Sequence, residues 1–310
     1  MIDATSKALF HSLARVEFLE RMASRYGMRP GGFARRFIAG ETVEETIAAV
    51  ADLPGRGLRL TLDYLGESVA SFDEASAAAR DYGRIIDAIV RSGIERNISV
   101  KLTQLGLDVD RATAVDNMRR ILEPADQHGF FVRIDMENSP YTDRTLQVLE
   151  TLWQQGHRGI GTVIQSCLTR SPRDVERLNA LGVRVRLVKG AYKEPKTVAF
   201  QGKDRVDAAF IELMRELLDH GHFPAIATHD PVMIDATKRH AAQRGYAKDR
   251  FEFQMLYGIR RDLQASLVAE GYGVRVYVPF GRQWFAYFMR RLGERPANIA
   301  FVLKGLLRER

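Results

Sequence analysis

The sequence predicts an α/β chain built as one (βα)8 barrel, preceded by a helical N-terminal arm. Three observations carry that expectation. Eight short β-rich runs recur at a mean spacing of about 31 residues, the length of one strand-plus-helix unit. Amphipathic stretches such as Ser71–Ser92, Arg111–His128 and Val206–His220 lie between them. The 310 residues are enough for two domains, yet no Pro/Ser-rich linker or low-complexity tract divides the chain.

Taken in order, residues 1–55 read as the arm and 56–310 as the barrel. Leu9, Leu13, Val16, Leu19 and Met22 recur at helical spacing, and Arg29-Pro30-Gly31-Gly32 stops that helix. Thr42 and Glu45 have capping-box spacing and start a second helix, which ends at Leu53-Pro54-Gly55. The eight strand candidates are Leu58–Leu65, Ile98–Leu105, Phe131–Met136, Thr162–Cys167, Val183–Val188, Ala225–Thr228, Phe251–Leu256 and Val274–Val278. A parallel strand covered on both faces should be a nearly unbroken apolar run. Arg133-Ile134-Asp135 and Arg184-Val185-Arg186 break that pattern. Charge inside a sheet is costly unless paired, so these residues point to a site at the strand ends.

Composition narrows the function. Lys plus Arg number 46 against 39 Asp plus Glu, a net charge of +7, and the pI is about 9.6. The basic residues are dispersed among acids, and helix-turn-helix and RNA-binding signatures are missing, so no nucleic-acid partner is expected. Hydrophobic residues at 45% and charged residues at 27% exclude the disordered and fibrous classes. The single cysteine, Cys167, forms no disulfide within the chain and favours a reducing compartment, hence the cytoplasm. It reads as a packing group in an apolar strand rather than a nucleophile. Met1–Gly27 carries too many charges for a signal-peptide core, and no run of about 18 apolar residues occurs. GxGxxG after a strand, GxxxxGK[ST], HExxH and CxxC are all absent, which removes Rossmann and P-loop sites and leaves no metal centre to expect.

In a barrel the chemistry sits at the C-terminal strand ends. Those positions hold Lys101, Asp135, Gln165, Arg186 with Lys189, Thr228-His229, Gln254 and Tyr277. Each alone would be a satisfied core polar group; together they are hard to explain as packing. Lys189-Gly190-Ala191 combines a cation with a glycine that lets backbone approach a ligand, an arrangement suited to an anion. In the last helix Arg290 and Arg291 point about 100° apart, and Glu294 is spaced to orient either guanidinium. Such a pair grips a carboxylate bidentately.

Val-Lys101-Leu-Thr, Arg-Ile-Asp135-Met-Glu, Arg186-Leu-Val-Lys-Gly-Ala-Tyr192, Ala-Thr-His229-Asp, Gln254-Met-Leu-Tyr-Gly258 and Tyr-Phe-Met-Arg290-Arg291-Leu-Gly-Glu294 resemble, in order, the signature blocks of proline dehydrogenases. The resemblance runs from about residue 58 to the C-terminus. It implies a distorted (βα)8 TIM barrel that binds FAD, with its final helix over the flavin. The implied reaction is oxidation of L-proline to Δ1-pyrroline-5-carboxylate, by hydride transfer from proline C5 to FAD N5, with electrons passed to a quinone. By match to the family, Asp135 and Arg186 are catalytic and Lys101 lies with the substrate. Tyr277 forms the aromatic wall of the proline pocket, and Arg290 and Arg291, supported by Glu294, hold the carboxylate. Met136 (through its backbone), Gln165, Arg186, Lys189, Gly190, Ala191, Thr228, His229 and Gln254 are the implied cofactor contacts.

No aldehyde dehydrogenase domain follows residue 310, so the resemblance is to the monofunctional bacterial branch rather than to bifunctional PutA. Product would then pass to a separate pyrroline-5-carboxylate dehydrogenase. A lipid-soluble quinone makes a transient membrane surface a further expected partner, at the inner membrane. The rival readings are another flavin-dependent barrel enzyme and, from the +7, a protein that binds nucleic acid or membrane. Which group takes the amine proton is left open by the sequence.

Overall fold

A computed structural model describes Met28 and residues 32–294, apart from the side chains of Phe33 and residues 290–294. The strands are β1 (Leu58–Tyr64), β2 (Asn97–Val100), β3 (Phe131–Ile134), β4 (Ile160–Gln165), β5 (Arg184–Val188), β6 (Ala225–Ala227), β7 (Glu252–Leu256) and β8 (Gly273–Phe280). They form one closed parallel barrel in sequence order. The barrel is shut by β8 on β1, in register from Leu58 opposite Val274 to Tyr64 opposite Phe280. The expected (βα)8 architecture is therefore the one found.

Strand composition explains why this sheet closes. Leu58, Leu60 and Leu62 of β1, Val132 and Ile134 of β3, and Val274, Val276 and Val278 of β8 all belong to the main hydrophobic core, packed with residues of the surrounding helices. The residues between them are polar: Thr61 and Asp63, Arg133, Arg275 and Tyr277. Side chains alternate across a strand, so one face feeds the helix ring and the other the barrel lumen. This corrects the expectation of near-continuous apolar strands with charge confined to their ends. The charges occupy the lumen itself, where most of them pair with one another.

The outer ring comprises α2 (Phe72–Ser92), α3 (Arg111–Gln127), α4 (Thr142–Gln154), α5 (Ser171–Leu181), α6 (Lys203–His220), α7 (Pro231–Gln243) and α8 (Arg261–Ala269), following α1 (Val43–Val50). Caps set the helix starts. Ser71 Oγ accepts from Glu74 N at 3.2 Å before α2, and Asp110 Oδ1 accepts from Thr113 N at 2.7 Å before α3. Thr42 caps α1 by accepting from Glu45 N at 3.2 Å, while the Glu45 carboxylate reaches back to Glu41 N at 3.3 Å. Val43, Val50 and Leu53 from this segment join the main core. The helix expected across Leu9–Met22 lies outside the described residues.

Several strand ends fall short of their predicted bounds. β2 stops at Val100, after which Leu105 N and Leu107 N both bond to Leu102 O, a turn that uses Gly106 at φ 94°. β4 ends at Gln165, so Cys167 sits in the following turn, not in a strand. It is buried with Leu168 and Ala199, and burial pushes its thiol up to about 11, which agrees with a packing role.

The last helix, α9 (Trp284–Glu294), follows β8 directly. Trp284, Phe285, Phe288 and Met289 form a second hydrophobic cluster with Met28, Phe37, Ile38 and Leu65, and Tyr277 and Ile259 pack against it. Leu65, Ile259 and Tyr277 lie at or near the C-terminal ends of β1, β7 and β8, so this helix stands at the barrel mouth. Trp284 Nε1 also donates to Glu41 Oε1 at 3.0 Å. Gly258 makes the close packing possible. It has φ 73°, and a Cβ there would overlap the Arg36 carbonyl. Gly258→Ala should therefore destabilise the protein by about 2 kcal/mol or more. Gly83→Ala, inside α2 with open space around it, should stabilise by about 0.5–1 kcal/mol. Thermal unfolding of the two variants checks both signs.

Candidate active site

Polar residues at i, i+2 spacing stack inside the barrel because neighbouring strands are in register. Arg186 is paired with Val163 and Ala225, Gln254 with Ala227 and Arg275, and Ser99 with Arg133 and Asp63. Arg186 is the hub. Its Nη1 donates to Asp135 Oδ1 at 2.7 Å, Nε to Gln254 Oε1 at 2.5 Å and Nη2 to Ser99 Oγ at 3.2 Å. Its Cζ lies 5.2 Å from the Tyr277 ring centre. The guanidinium thus touches groups from four other segments of the barrel wall and is only 5% exposed.

Above it the network reaches the mouth. Tyr277 Oη donates to Asp135 Oδ2 at 2.8 Å. Lys101 Nζ donates to Asp63 Oδ1 at 2.9 Å and lies 4.0 Å from Asp135 Oδ2. Burial alone would push the Lys101 ammonium down, but Asp63 and Asp135 raise it well above its ordinary value. It stays charged. Burial, with Asp135 and Asp63 beside it, pushes the Tyr277 phenol well up, so it remains a neutral donor. Burial also raises the Asp63 carboxyl.

The loops after the strands supply the rest. Gln165 Nε2 donates to the Glu137 carbonyl at 2.9 Å, and the Glu137 carboxylate accepts from Thr103 Oγ1 at 2.6 Å and Thr103 N at 3.2 Å. Thr228 Oγ1 accepts from Asp230 N at 3.1 Å. His229 Nε2 lies 2.9 Å from Leu256 N; an amide can only donate, so Nε2 is the unprotonated nitrogen. Gly190 holds φ 121°, and a Cβ there would collide with Cys167 Sγ, so only glycine presents its backbone at this turn. Gly190 and Ala191 are exposed beside it, and Met136 is buried.

The sequence-predicted residues Lys101, Asp135, Arg186, Gln254 and Tyr277 are thus brought into one hydrogen-bonded and ring-contact network. Gln165 ends β4, and Gly190, Thr228 and His229 stand on the loops after β5 and β6, at the same end of the barrel. Two positions differ from the simplest expectation. Lys189 Nζ is shared by Asp207 Oδ1 at 2.5 Å and Asp230 Oδ2 at 2.7 Å, so it is a neutralised cation rather than a lone one. Both ends of the Gln254 amide are engaged inside the barrel, by Arg186 and by Glu252. The Arg290, Arg291 and Glu294 side chains lie outside the described residues; their backbone continues α9.

Sequence reasoning missed Asp63, Ser99, Glu137, Glu252 and Arg275. A readable signal was present: Thr61/Asp63, Ser99/Lys101, Arg133/Asp135, Glu252/Gln254 and Arg275/Tyr277 all repeat a polar residue two positions apart. Among the described residues, no group of three or more His, Cys, Asp or Glu could hold a metal. No described helix is long and apolar enough to cross a membrane.

These features define a (βα)8-barrel enzyme whose working groups converge at the C-terminal mouth. The family model described as proline dehydrogenase matches residues 46–304. Proline dehydrogenase 1 of Bacillus subtilis subsp. natto is 44% identical over 301 residues, covering 97% of this chain and 99% of that protein. Proline dehydrogenase of Deinococcus radiodurans is 42% identical over 312 residues, covering 99% and 100%. A crystal structure of proline utilization A from Bdellovibrio bacteriovorus, inactivated by N-propargylglycine, superposes with a TM-score of 0.79 at 28% identity. It matches 84% of this chain, which spans 32% of that longer one. The chain belongs to the proline dehydrogenase family.

The mouth suits a flavin. Gly190 offers exposed backbone that no larger residue could offer, with the Gln165 amide oxygen 3.4 Å from where a Cβ would stand, and Thr228 and His229 follow β6, the next strand of the barrel. Arg186, on β5 just before this turn, is a buried cation of the kind that could offset charge on such a ring.

Lys189 gives this rim a pH signature. Partial burial pushes the Asp207 and Asp230 carboxyls up, but Lys189, helped by Lys203, outweighs it and holds both below the usual range. A depressed carboxyl adds stability above its ordinary pKa and loses it as pH falls. Lys189→Met should therefore lower Tm by about 2–3 °C at neutral pH. The difference should fade toward zero below about pH 3, as followed by thermal unfolding across pH.

Proposed function

We propose that the barrel mouth binds FAD and oxidises L-proline to Δ1-pyrroline-5-carboxylate, with a quinone as electron acceptor. The observation that carries the reading is Arg186, a buried guanidinium oriented by Asp135, Gln254 and Ser99 at the mouth of a barrel in the proline dehydrogenase family. FAD, when bound, supplies the hydride-accepting chemistry.

The chain's own residues do the positioning. Arg186 holds positive charge where the reduced cofactor's negative charge develops. Gln165, Lys189, Gly190, Ala191, Thr228, His229 and the Met136 backbone hold the cofactor. Arg290 and Arg291 fix the substrate carboxylate, with Glu294 orienting them, and Tyr277 closes one side of the pocket while its hydroxyl is tied to Asp135. Lys101 stays protonated between Asp63 and Asp135 and keeps the anions of the site from repelling one another. The second cluster, under α9, excludes water from the mouth.

Proline-dependent bleaching of the flavin spectrum in purified protein tests the activity. Arg291→Lys should raise KM for proline about tenfold or more with a much smaller change in kcat, because the bidentate fork is lost. Unchanged proline kinetics in that variant would remove the carboxylate clamp.

The acceptor sets the location. A quinone resides in lipid, so the net positive surface docks transiently at the inner membrane while the enzyme otherwise stays in the cytoplasm, and product leaves for a separate pyrroline-5-carboxylate dehydrogenase. In flotation assays the protein should rise with anionic liposomes at low salt and stay behind with neutral ones; no difference between the two would eliminate the docking.

A further inference from the structure

Beneath Arg186 the lumen continues as a directed chain of polar groups toward the N-terminal end of the barrel. Gln254 Nε2 donates to Glu252 Oε1 at 2.5 Å, while its Oε1 accepts from Arg186 Nε at 2.5 Å. Arg275 clamps Glu252 bidentately, Nε to Oε1 at 2.7 Å and Nη2 to Oε2 at 3.0 Å. Arg275 is itself held by the Leu60 carbonyl at 2.6 Å and by Glu95 at 2.9 Å. Glu252, Gln254, Arg275 and Arg186 are between 2% and 5% exposed.

A carboxamide has a donor end and an acceptor end, and its neighbours decide which way it points. Here both neighbours give the same answer. An ionised carboxylate only accepts and a guanidinium only donates, so the Gln254 amide faces Glu252 and its oxygen faces Arg186. Burial pushes the Glu252 carboxyl up, but Arg275 outweighs it and holds the group below the usual range. It is an obligate acceptor at neutral pH. Asp135 and Ser99 take the two terminal nitrogens of Arg186, and Gln254 fixes the remaining one.

We propose that Glu252, clamped by Arg275, is a positioning residue that sets the direction of the Gln254 amide and through it the plane of the Arg186 guanidinium. This rests on the reading above, in which Arg186 stands beside the bound cofactor. An ion pair that only filled the lumen would need charge but no direction; the relay needs both. In Glu252→Gln one of the two acceptor oxygens becomes an NH2 that must face Arg275 or the Gln254 NH2, donors both, so the Gln254 amide is no longer held in place from below and its hold on Arg186 Nε is loosened. In Arg275→Lys the charge survives and the two-point clamp does not.

The test uses both variants loaded with FAD, beside the wild type. In E252Q the single-turnover rate of flavin reduction by proline should fall about tenfold, the loss expected when one preorganised charge is misplaced. The apparent Kd for proline should hold within about twofold. The reduction potential of the bound flavin should move to lower values, and a crystal structure of E252Q should show the Arg186 Nε to Gln254 Oε1 contact broken. R275K should shift rate and potential the same way but less, about threefold in rate. If folded variants keep the wild-type rate, potential and contact, Glu252 is an anchor for the lumen only and the relay is overturned. Failure of both variants to fold overturns it as well, since no positioning role would be separable from stability. A wild type that proline does not bleach overturns the functional reading instead, while the Arg186–Gln254 contact in the E252Q crystal structure still decides the relay.

Discussion

The pairing of charge inside the barrel is the constraint on which the rest of the structure depends. Lys101, Arg133, Arg186 and Arg275 face the lumen with Asp63, Asp135 and Glu252, all of them nearly or wholly out of solvent apart from Asp135, whose side chain is 12% exposed. A buried charge left without its partner costs about 3–5 kcal/mol. Each of these groups therefore fixes the next, and the register of the strands that carry them. Arg133 is held differently, with no hydrogen bond to a carboxylate: its Nη1 donates to the Thr162 and Arg184 carbonyls, its guanidinium lies 4.7 Å from the Phe131 ring centre, and its Nε is buried without a hydrogen-bond partner. An apolar lumen would have packed as well or better. This one gives up that simplicity for a rigid set of oriented donors and acceptors at its upper end.

The fold was legible because its signals are local. Repeat length, helix periodicity and caps such as Thr42, Ser71 and Asp110 are written in neighbouring residues, and the structure follows them. The site was legible only at its upper layer. Lys101 and Asp135 stand out directly after β2 and β3, where position alone suggests chemistry, and Arg186 and Tyr277 stand out within β5 and β8, read in the sequence as near their ends. Asp63, Glu252 and Arg275 do not, because a charge within a strand has no assigned side until the sheet closes. The Arg186–Ser99 contact joins β5 to β2 across the lumen, and no one-dimensional pattern specifies which residues will meet there. Only the two-residue repeat hinted that a whole face was polar. The strand bounds erred for a related reason: Cys167 and Leu102–Leu107 are apolar enough to extend a strand, but they are buried by turning back on the loops.

The rim of the mouth combines several roles in single residues. Asp230 caps α7 by accepting from Val232 N through one oxygen, at 3.0 Å, and holds Lys189 through the other. Its own amide donates to Thr228 Oγ1. One residue thereby ties the loop after β5 to the loop after β6 and starts the helix behind them. Ser139 and Glu194 do the same between the loops after β3 and β5, with Ser139 N donating to Glu194 at 2.8 Å. The groups around the mouth are held by neighbouring loops, and those loops by one another.

The second hydrophobic cluster joins Met28, Ala34, Phe37 and Ile38 to α9, about 250 residues later in the chain. Contacts of such sequence separation carry a high loop-closure cost and are slow to form. The barrel between them lowers that cost, because Leu65, Ile259 and Tyr277 at its mouth give both parts one common surface to settle on.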